Sequence, residues 1–204
     1  MKFFSKNEFI AVLSILAVVV IVSLFNFRIA LRRARDAQRR EDLGTIYNAL
    51  GTYQSQFGFF PLGSTDGKIK ACKPENFNEL LEEFSKGVEF DTQGYLESLA
   101  SCEWGASKLT DLGDVAQIPY LENIPQDPRT KVGISYFYIS NGRRYQIYAY
   151  LEGEVNEIGY DASIVRRNLP CGNYVCNFGR ADSITPLDKS LEEYENELME
   201  EFQK

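Results

Sequence analysis

The sequence predicts an α+β fold in which a long N-terminal helix, membrane-spanning in its first part, packs on a small antiparallel β-sheet. Three patterns carry the prediction. They are an apolar run from Phe9 to Phe27, an apolar stripe at three- and four-residue spacing from Leu43 to Phe57, and two aromatic runs of alternating polarity around Asn141-Gly142.

The first run holds 19 residues, of which only Ser14, Ser23 and Asn26 are polar. At the helical rise it reaches roughly 28 Å, close to the hydrocarbon thickness of a bilayer. A cleaved secretory leader has a shorter apolar core and a small-residue cleavage site, whereas Asn26, Phe27 and an arginine cluster follow here, so the segment is expected to stay as an anchor. Glu8 stands directly before the run. A carboxylate at the centre of a membrane helix costs roughly 2.5–3.5 kcal/mol on insertion scales. Glu8 either sits at the headgroup edge, where the penalty is small, or meets a positive group from another subunit.

The helix is expected to continue through RIALRRARDAQRRED, with Arg32 and Arg40 each four residues from Asp36 and able to flank it. Leu43, Ile46, Tyr47, Leu50, Tyr53 and Phe57 extend it as one apolar stripe, and Gly58 and Pro61 end it. The spacing thus predicts a single helix from about Lys6 to Phe57, roughly 75 Å long. Gly44 and Gly51 each cost about 1 kcal/mol inside it and are expected bending points. The arginines read as a solvated collar at the headgroups. They also outweigh Lys2 and Lys6, which by the positive-inside rule alone would place the C-terminal part in the cytoplasm.

From Leu62 to Gln117 a polar turn at Gly63–Gly67 is followed by helical spacing at Phe77, Leu80, Leu81 and Phe84, and again at Tyr95, Leu96 and Leu99, giving one or two short helices in a long loop. A proline-rich stretch, IPYLENIPQDPRT, leads into ISYFYISNGRRYQIYAYLEG. A two-residue type I′ turn at Asn141-Gly142 sets Ser140 opposite Arg143, Tyr138 opposite Tyr145, Tyr136 opposite Ile147 and Ile134 opposite Ala149. The face with Ile134, Tyr136, Tyr138, Tyr145, Ile147 and Ala149 should pack on the helix stripe, and the face with Ser135, Phe137, Ile139, Arg144, Gln146, Tyr148 and Tyr150 should be more exposed. The tyrosines read as sheet packing rather than as a stacking platform for bases. The C-terminal end predicts a surface helix with Thr185 as N-cap, Pro186 in the first turn, and a stripe of Leu187, Leu191, Tyr194, Leu198 and Phe202.

Residues 44–204 carry 14 Lys+Arg against 25 Asp+Glu, an acidic head that argues against nucleic-acid binding through phosphate contacts. Four cysteines, Cys72, Cys102, Cys171 and Cys176, are an even set and predict disulfides in an oxidising compartment. Three pairings are possible. Cys72 with Cys102 and Cys171 with Cys176 are favoured because each pair lies within one loop-like stretch. Zinc is disfavoured, since the chain has no histidine and no second closely spaced cysteine pair. No phosphate loop and no nucleophile beside a base points to catalysis, so no enzyme, no metal and no cofactor is expected.

An acidic residue before an apolar anchor (NEFIAVLSILAVVVIVSLF), its continuation ARDAQRREDLGTIYNALGTYQSQFGFFP, the IPQDP segment and the YFYISNGRRYQIYAYLE hairpin, in this order, resemble the type IV pilin and type II secretion pseudopilin superfamily over residues 4 to about 152. The resemblance implies a pilin-like fold. Residues 1–27 would be a short leader and transmembrane anchor, 28–60 the amphipathic continuation, and 61–204 an extracytoplasmic head with an acidic C-terminal helix. It also implies cutting by a prepilin peptidase before Phe4, methylation of the new N-terminus, and assembly in which Glu8 meets a neighbour's terminal amine. Phe3 stands where the family normally has glycine, and Ser5, Lys6 and Asn7 where it is usually apolar. The implied role is a non-enzymatic subunit of a pilus or pseudopilus in the cytoplasmic membrane, head exported, assembling with copies of itself or other pilin-like subunits. The alternative is a monomeric membrane-anchored binding or adhesion module with a pilin-like fold. A DNA-uptake pilin using Arg28 to Arg40 is a weaker third. Some pseudopilins hold calcium in the C-terminal loop, where Asp161 and Asp182 fall here without ligand spacing.

Overall fold

A computed structural model of the chain describes residues 6–79, 82, 92–112 and 118–203. Helix α1 runs unbroken over Lys6–Phe57, as the spacing predicts. Neither expected bending glycine interrupts it. Its buried residues are Asp36, Arg39, Leu43, Ile46, Ala49, Leu50 and Tyr53, one face at helical spacing whose first two members are charged. Gly58 ends the helix in the left-handed region (φ 82°), with its N–H donating to Gln54 O at 2.8 Å.

The main sheet consists of β4 (Phe137–Ser140), β5 (Tyr145–Ala149) and β8 (Phe178–Ala181), antiparallel in the order β4-β5-β8. Its hairpin register differs from the one expected. Ser140 opposes Tyr145, Tyr138 opposes Ile147 and Phe137 opposes Tyr148, a slip of two residues from the two-residue turn. The cause is local. Asn141 Oδ1 accepts from the N–H groups of both Arg143 (3.1 Å) and Arg144 (3.0 Å), and Asn141 N–H donates to Arg144 O (3.3 Å), so Asn141 stands opposite Arg144 and the turn centres on Gly142-Arg143. A slip of two leaves side-chain parity intact. Tyr136, Tyr138, Tyr145, Ile147 and Ala149 therefore face Leu43, Ile46, Leu50 and Tyr53 in the buried core, as expected. Ile134 is also buried but bridges Gly172 rather than pairing with Ala149.

The other face of β5 is not exposed, contrary to expectation. Gln146 and Tyr148 are fully buried beneath the C-terminal part of the chain. Gln146 Nε2 donates to Pro186 O (2.5 Å) and Lys189 O (2.9 Å), and Tyr148 Oη donates to Leu187 O (3.0 Å). Arg167 Nη1 donates to Gln146 Oε1 (3.0 Å) and Leu187 O (2.9 Å) and also bonds Tyr148. Residues 185–190 are thereby held as a non-helical strap. The C-terminal helix, α4, starts only at Leu191, with Ser190 as its N-cap accepting from Glu193 N–H, and not at Thr185-Pro186. Its outer end is open, with Phe202 89% exposed, so the expected stripe does not pack as a whole.

A second antiparallel sheet, β1 (Leu62–Gly63), β2 (Ile69–Cys72) and β3 (Ala100–Ser101), occupies the stretch expected to be loop and short helices. One of those helices is present, α2 (Thr92–Ser98), and it buries Leu96 beside Leu99 and Phe77. Leu80, Leu81 and Phe84 lie outside the described residues. The strands have two to four residues, too few for a period-2 pattern to register. After β5, a one-turn helix α3 (Ala162–Arg166) precedes a tight hairpin of β6 (Pro170–Cys171) and β7 (Tyr174–Val175). The hairpin is pressed onto Gly133. Asn173 N–H donates to Gly133 O at 2.7 Å, and Gly172 (φ 69°) would bring a Cβ within 2.0 Å of the same oxygen.

The architecture is the α+β, pilin-like shape expected: one long helix, apolar at its start, packed by its second half on small antiparallel sheets. The strap gives a direct test. Gln146→Leu keeps the volume but leaves Pro186 O and Lys189 O without that donor and Arg167 without that acceptor. It should cost about 2–4 kcal/mol, read from denaturant unfolding of the full chain in micelles, with faster amide exchange confined to 185–190.

Candidate functional site at the junction of helix and head

Arg32, Arg35, Asp36 and Arg39 stand at i, i+3, i+4 and i+7 and so share one helix face, the face that becomes the apolar stripe at Leu43. They do not form a solvated collar. Arg39 is fully buried and uses four of its five N–H donors on three carboxylates. Nε and Nη2 form a bidentate pair with Asp127 (2.7 and 3.0 Å), and Nη1 donates to Asp36 Oδ1 (2.8 Å) and Glu152 Oε1 (2.8 Å). Arg35 makes a second bidentate pair with Glu152 (2.7 and 2.6 Å), and Arg129 Nη1 reaches the same carboxylate at 3.0 Å. Three arginines thus meet three carboxylates.

Each partner is positioned by its own segment. Asp127 lies between Pro125 and Pro128, and its Oδ1 also accepts from Arg129 N–H at 2.7 Å, which fixes the carboxylate in the turn. Glu152 follows the end of β5, and its N–H donates to Asp36 Oδ1 at 2.8 Å. Two further contacts secure the loop beyond it: Arg32 pairs with Glu157, and Arg40 Nη1 donates to Ile158 O at 2.6 Å. Asp36 is held by Arg39, three residues on, and not by Arg32 and Arg40 as expected, because both of those reach across to the loop.

Burial alone would raise the Glu152 carboxyl. The hydrogen bonds and charges of Arg35 and Arg39 outweigh it and hold the group at about 2, against an ordinary 4.5. Burial would likewise lower the Arg39 guanidinium, but Asp127, Glu152 and Asp36 keep it above its usual range. Close by, burial raises the Asp42 carboxyl, opposed by the hydrogen bond it accepts from Tyr136.

The apolar run presents the opposite condition. Every residue from Phe9 to Phe27 is exposed, Phe9 by 60%, Leu16 by 60% and Phe25 by 67%, and α1 is long and apolar enough to cross a membrane. Glu8 lies in its first turn. Phe3 and Phe4 fall outside the described residues. The four cysteines form disulfides Cys72–Cys102, with Cα atoms 5.1 Å apart, and Cys171–Cys176, also at 5.1 Å, the pairing that locality favours. Asp161 caps α3 through Ser163 N–H, and Asp182 accepts from Tyr145 N–H at 2.8 Å, so each of these carboxylates has a structural task. Among the described residues no three His, Cys, Asp or Glu side chains converge on a metal-sized site.

Asp127, Glu152 and Arg129 are central here, and sequence reasoning did not single them out. The usable signal was the collinearity of the arginines with the apolar stripe, since a charged residue on a core face demands a partner. Comparison with protein-family models, curated proteins and solved structures finds no match to the chain.

Two results should follow. Arg39→Ala leaves Asp127 and Asp36 as uncompensated buried carboxylates and should lower stability by about 3–5 kcal/mol, measured as the shift in denaturant unfolding of the full chain. Glu152 is depressed in the folded state, so its contribution is complete above the ordinary 4.5 and is lost as pH falls toward about 2. That difference is worth about 3 kcal/mol. Asp42 acts in the opposite sense, because its raised carboxyl takes up a proton more readily in the fold. Glu152→Gln should therefore flatten the acid limb of stability against pH, which thermal unfolding between pH 2 and 6 would detect.

Proposed function

We propose that this chain is a structural, non-catalytic subunit of a type IV pilus or type II secretion pseudopilus, assembling through the N-terminal part of α1. One observation carries the reading: Phe9–Phe27 is exposed on all sides, while the second half of the same helix is fixed into the head through Arg39 and the Leu43–Tyr53 stripe. A single membrane-crossing helix accounts for part of this exposure. Packing the spans of many copies against one another accounts for it outside a bilayer as well, since the apolar surface lost from lipid is regained from neighbours.

The resemblance of the anchor, helix, IPQDP segment and hairpin to pilins and pseudopilins supports the same assignment and gives Glu8 its role, meeting a cation on an adjacent subunit. The subunit starts in the cytoplasmic membrane with its head on the far side, where two disulfides are stable, and a prepilin peptidase acts before Phe4. A role in binding DNA through the arginines is not proposed, because four of the six between Arg28 and Arg40, namely Arg32, Arg35, Arg39 and Arg40, are occupied within the chain, and the rest of the chain is acidic. The second reading, a monomeric anchored binding or adhesion module, draws its support from Phe3 in the place of the family's glycine.

Glu8→Ala distinguishes the two. At matched membrane levels in the native host, the filament reading predicts unchanged head folding and a fall of about tenfold or more in sheared surface filaments or dependent secretion, the factor for one contact of about 1.4 kcal/mol. Equal assembly by both forms removes the role given to Glu8. Filaments from neither form, with the chain stably anchored, select the monomeric module.

A further inference from the structure

The strap that follows β8 is bonded to the head in a way that any copy of the chain satisfies. The donors are side chains of the head: Gln146 Nε2, Tyr148 Oη and Arg167 Nη1. The acceptors are main-chain carbonyls of the strap, those of Pro186, Leu187 and Lys189. Beyond it, α4 buries only Leu191. We propose that two copies of the chain exchange residues 184–203, each strap lying over Gln146 and Tyr148 of the other copy.

The hinge is strained in the closed form. Thr185 N–H donates to Asp182 O at 2.9 Å, which folds 182–185 into a turn, and Ser183 within it has φ 40°. A residue with a Cβ is disfavoured in that left-handed region. Asp182 itself is fixed, because its carboxylate accepts from Tyr145 N–H, so opening falls on Ser183 and Ile184. Ile184 is 74% exposed and gives up little packing when it moves. Opening the turn releases the strain, and a strap laid in the partner's groove restores each bond it left.

Topology puts this hinge within reach of a second copy. β8 is the outer strand of the order β4-β5-β8, and among the described residues no strand pairs with its free edge. With the β8 strands of two copies side by side, the hinge of one lies two strand spacings, about 10 Å, from β5 of the other. From Asp182 to Thr185 an opened chain spans about 10 Å, enough to cross. Where α1 is inserted in a membrane, a two-fold axis along the membrane normal keeps both helices pointing the same way. Confinement to one membrane raises the effective concentration of the second copy.

Cross-linking between unequal copies tests the exchange. Ile139 and Met199 line one cleft between β4 and α4. One full-length copy carries Ile139→Cys, and a second, lengthened by an affinity tag, carries Met199→Cys. The two are coexpressed and purified together in micelles. All four native cysteines are in disulfides, so a short bis-maleimide joins only the introduced thiols. One chain carrying both substitutions shows the link within a copy. Exchange gives a linked pair of unequal chains. Its yield should fall about tenfold with Ser183→Gly in both copies, the factor for about 1.4 kcal/mol, because glycine adopts a positive φ freely. It should rise with Ser183→Pro, whose ring excludes that conformation. An unequal pair formed equally in the unsubstituted, Ser183→Gly and Ser183→Pro mixtures reports copies that touch without exchanging, and overturns the proposal. So does the link within a copy in the absence of any unequal pair. Glu8 is native in every form, so neither outcome bears on the filament reading.

Discussion

Arg39 can be buried only if every charge it brings is answered, and the route by which it is answered organises the head. A lone guanidinium in a protein interior would cost several kcal/mol. Here Asp127 comes from the proline-flanked segment, Glu152 from the end of β5, and Asp36 from the helix itself, all at 2.7–3.0 Å. Three stretches of chain distant in sequence are thus brought to one group whose planar fork dictates their directions. An ammonium in the same place would offer three donors from a single nitrogen and could not serve the bidentate Asp127 and two further carboxylates in that geometry.

The position of this group marks where one continuous helix changes character. Phe9–Phe27 is apolar all round, as a lipid-facing helix must be, and Leu43–Tyr53 is apolar on one face only, as a helix on a water-soluble head must be. Between them the core face of α1 begins with ions. Had it begun with leucines, an aliphatic stripe would have run from the span into the head with nothing to mark where lipid should stop. A neutral set of three arginines and three carboxylates is satisfied by the head's own residues but has no match in hydrocarbon.

The limits of sequence reading here have physical causes. The helix was legible over its full length, from an unbroken apolar run in its first part and from three- and four-residue apolar spacing from Leu43 onward. The buried side of the hairpin was legible too, although its register was not. Facing depends on residue parity, which a slip of two conserves, whereas register depended on whether the turn centres on Asn141-Gly142 or, with Asn141 Oδ1 accepting from Arg143 and Arg144 N–H, on Gly142-Arg143. The cover on Gln146 and Tyr148 was not legible, since it comes from residues some forty positions later and works through main-chain carbonyls, which carry no sequence signature. The arginine cluster was misread for a related reason. Charge density near an apolar run looks the same whether it faces lipid headgroups or carboxylates, and only the fold brings Asp127 and Glu152 into reach.

The same contacts set how force passes through the molecule. From Asp36 onward α1 is held to the head by buried ion pairs, by the apolar core, and by Tyr136 donating to Asp42, so helix and head move as one body. Residues 28–31 are all exposed, and among the described residues Arg32 is the first of α1 whose side chain pairs with the head. Surface ion pairs at this junction would loosen with ionic strength, but Arg39 and Asp127 have no exposed side-chain surface and are screened far less. Load along the axis of α1 therefore reaches the sheet through contacts that salt weakens little.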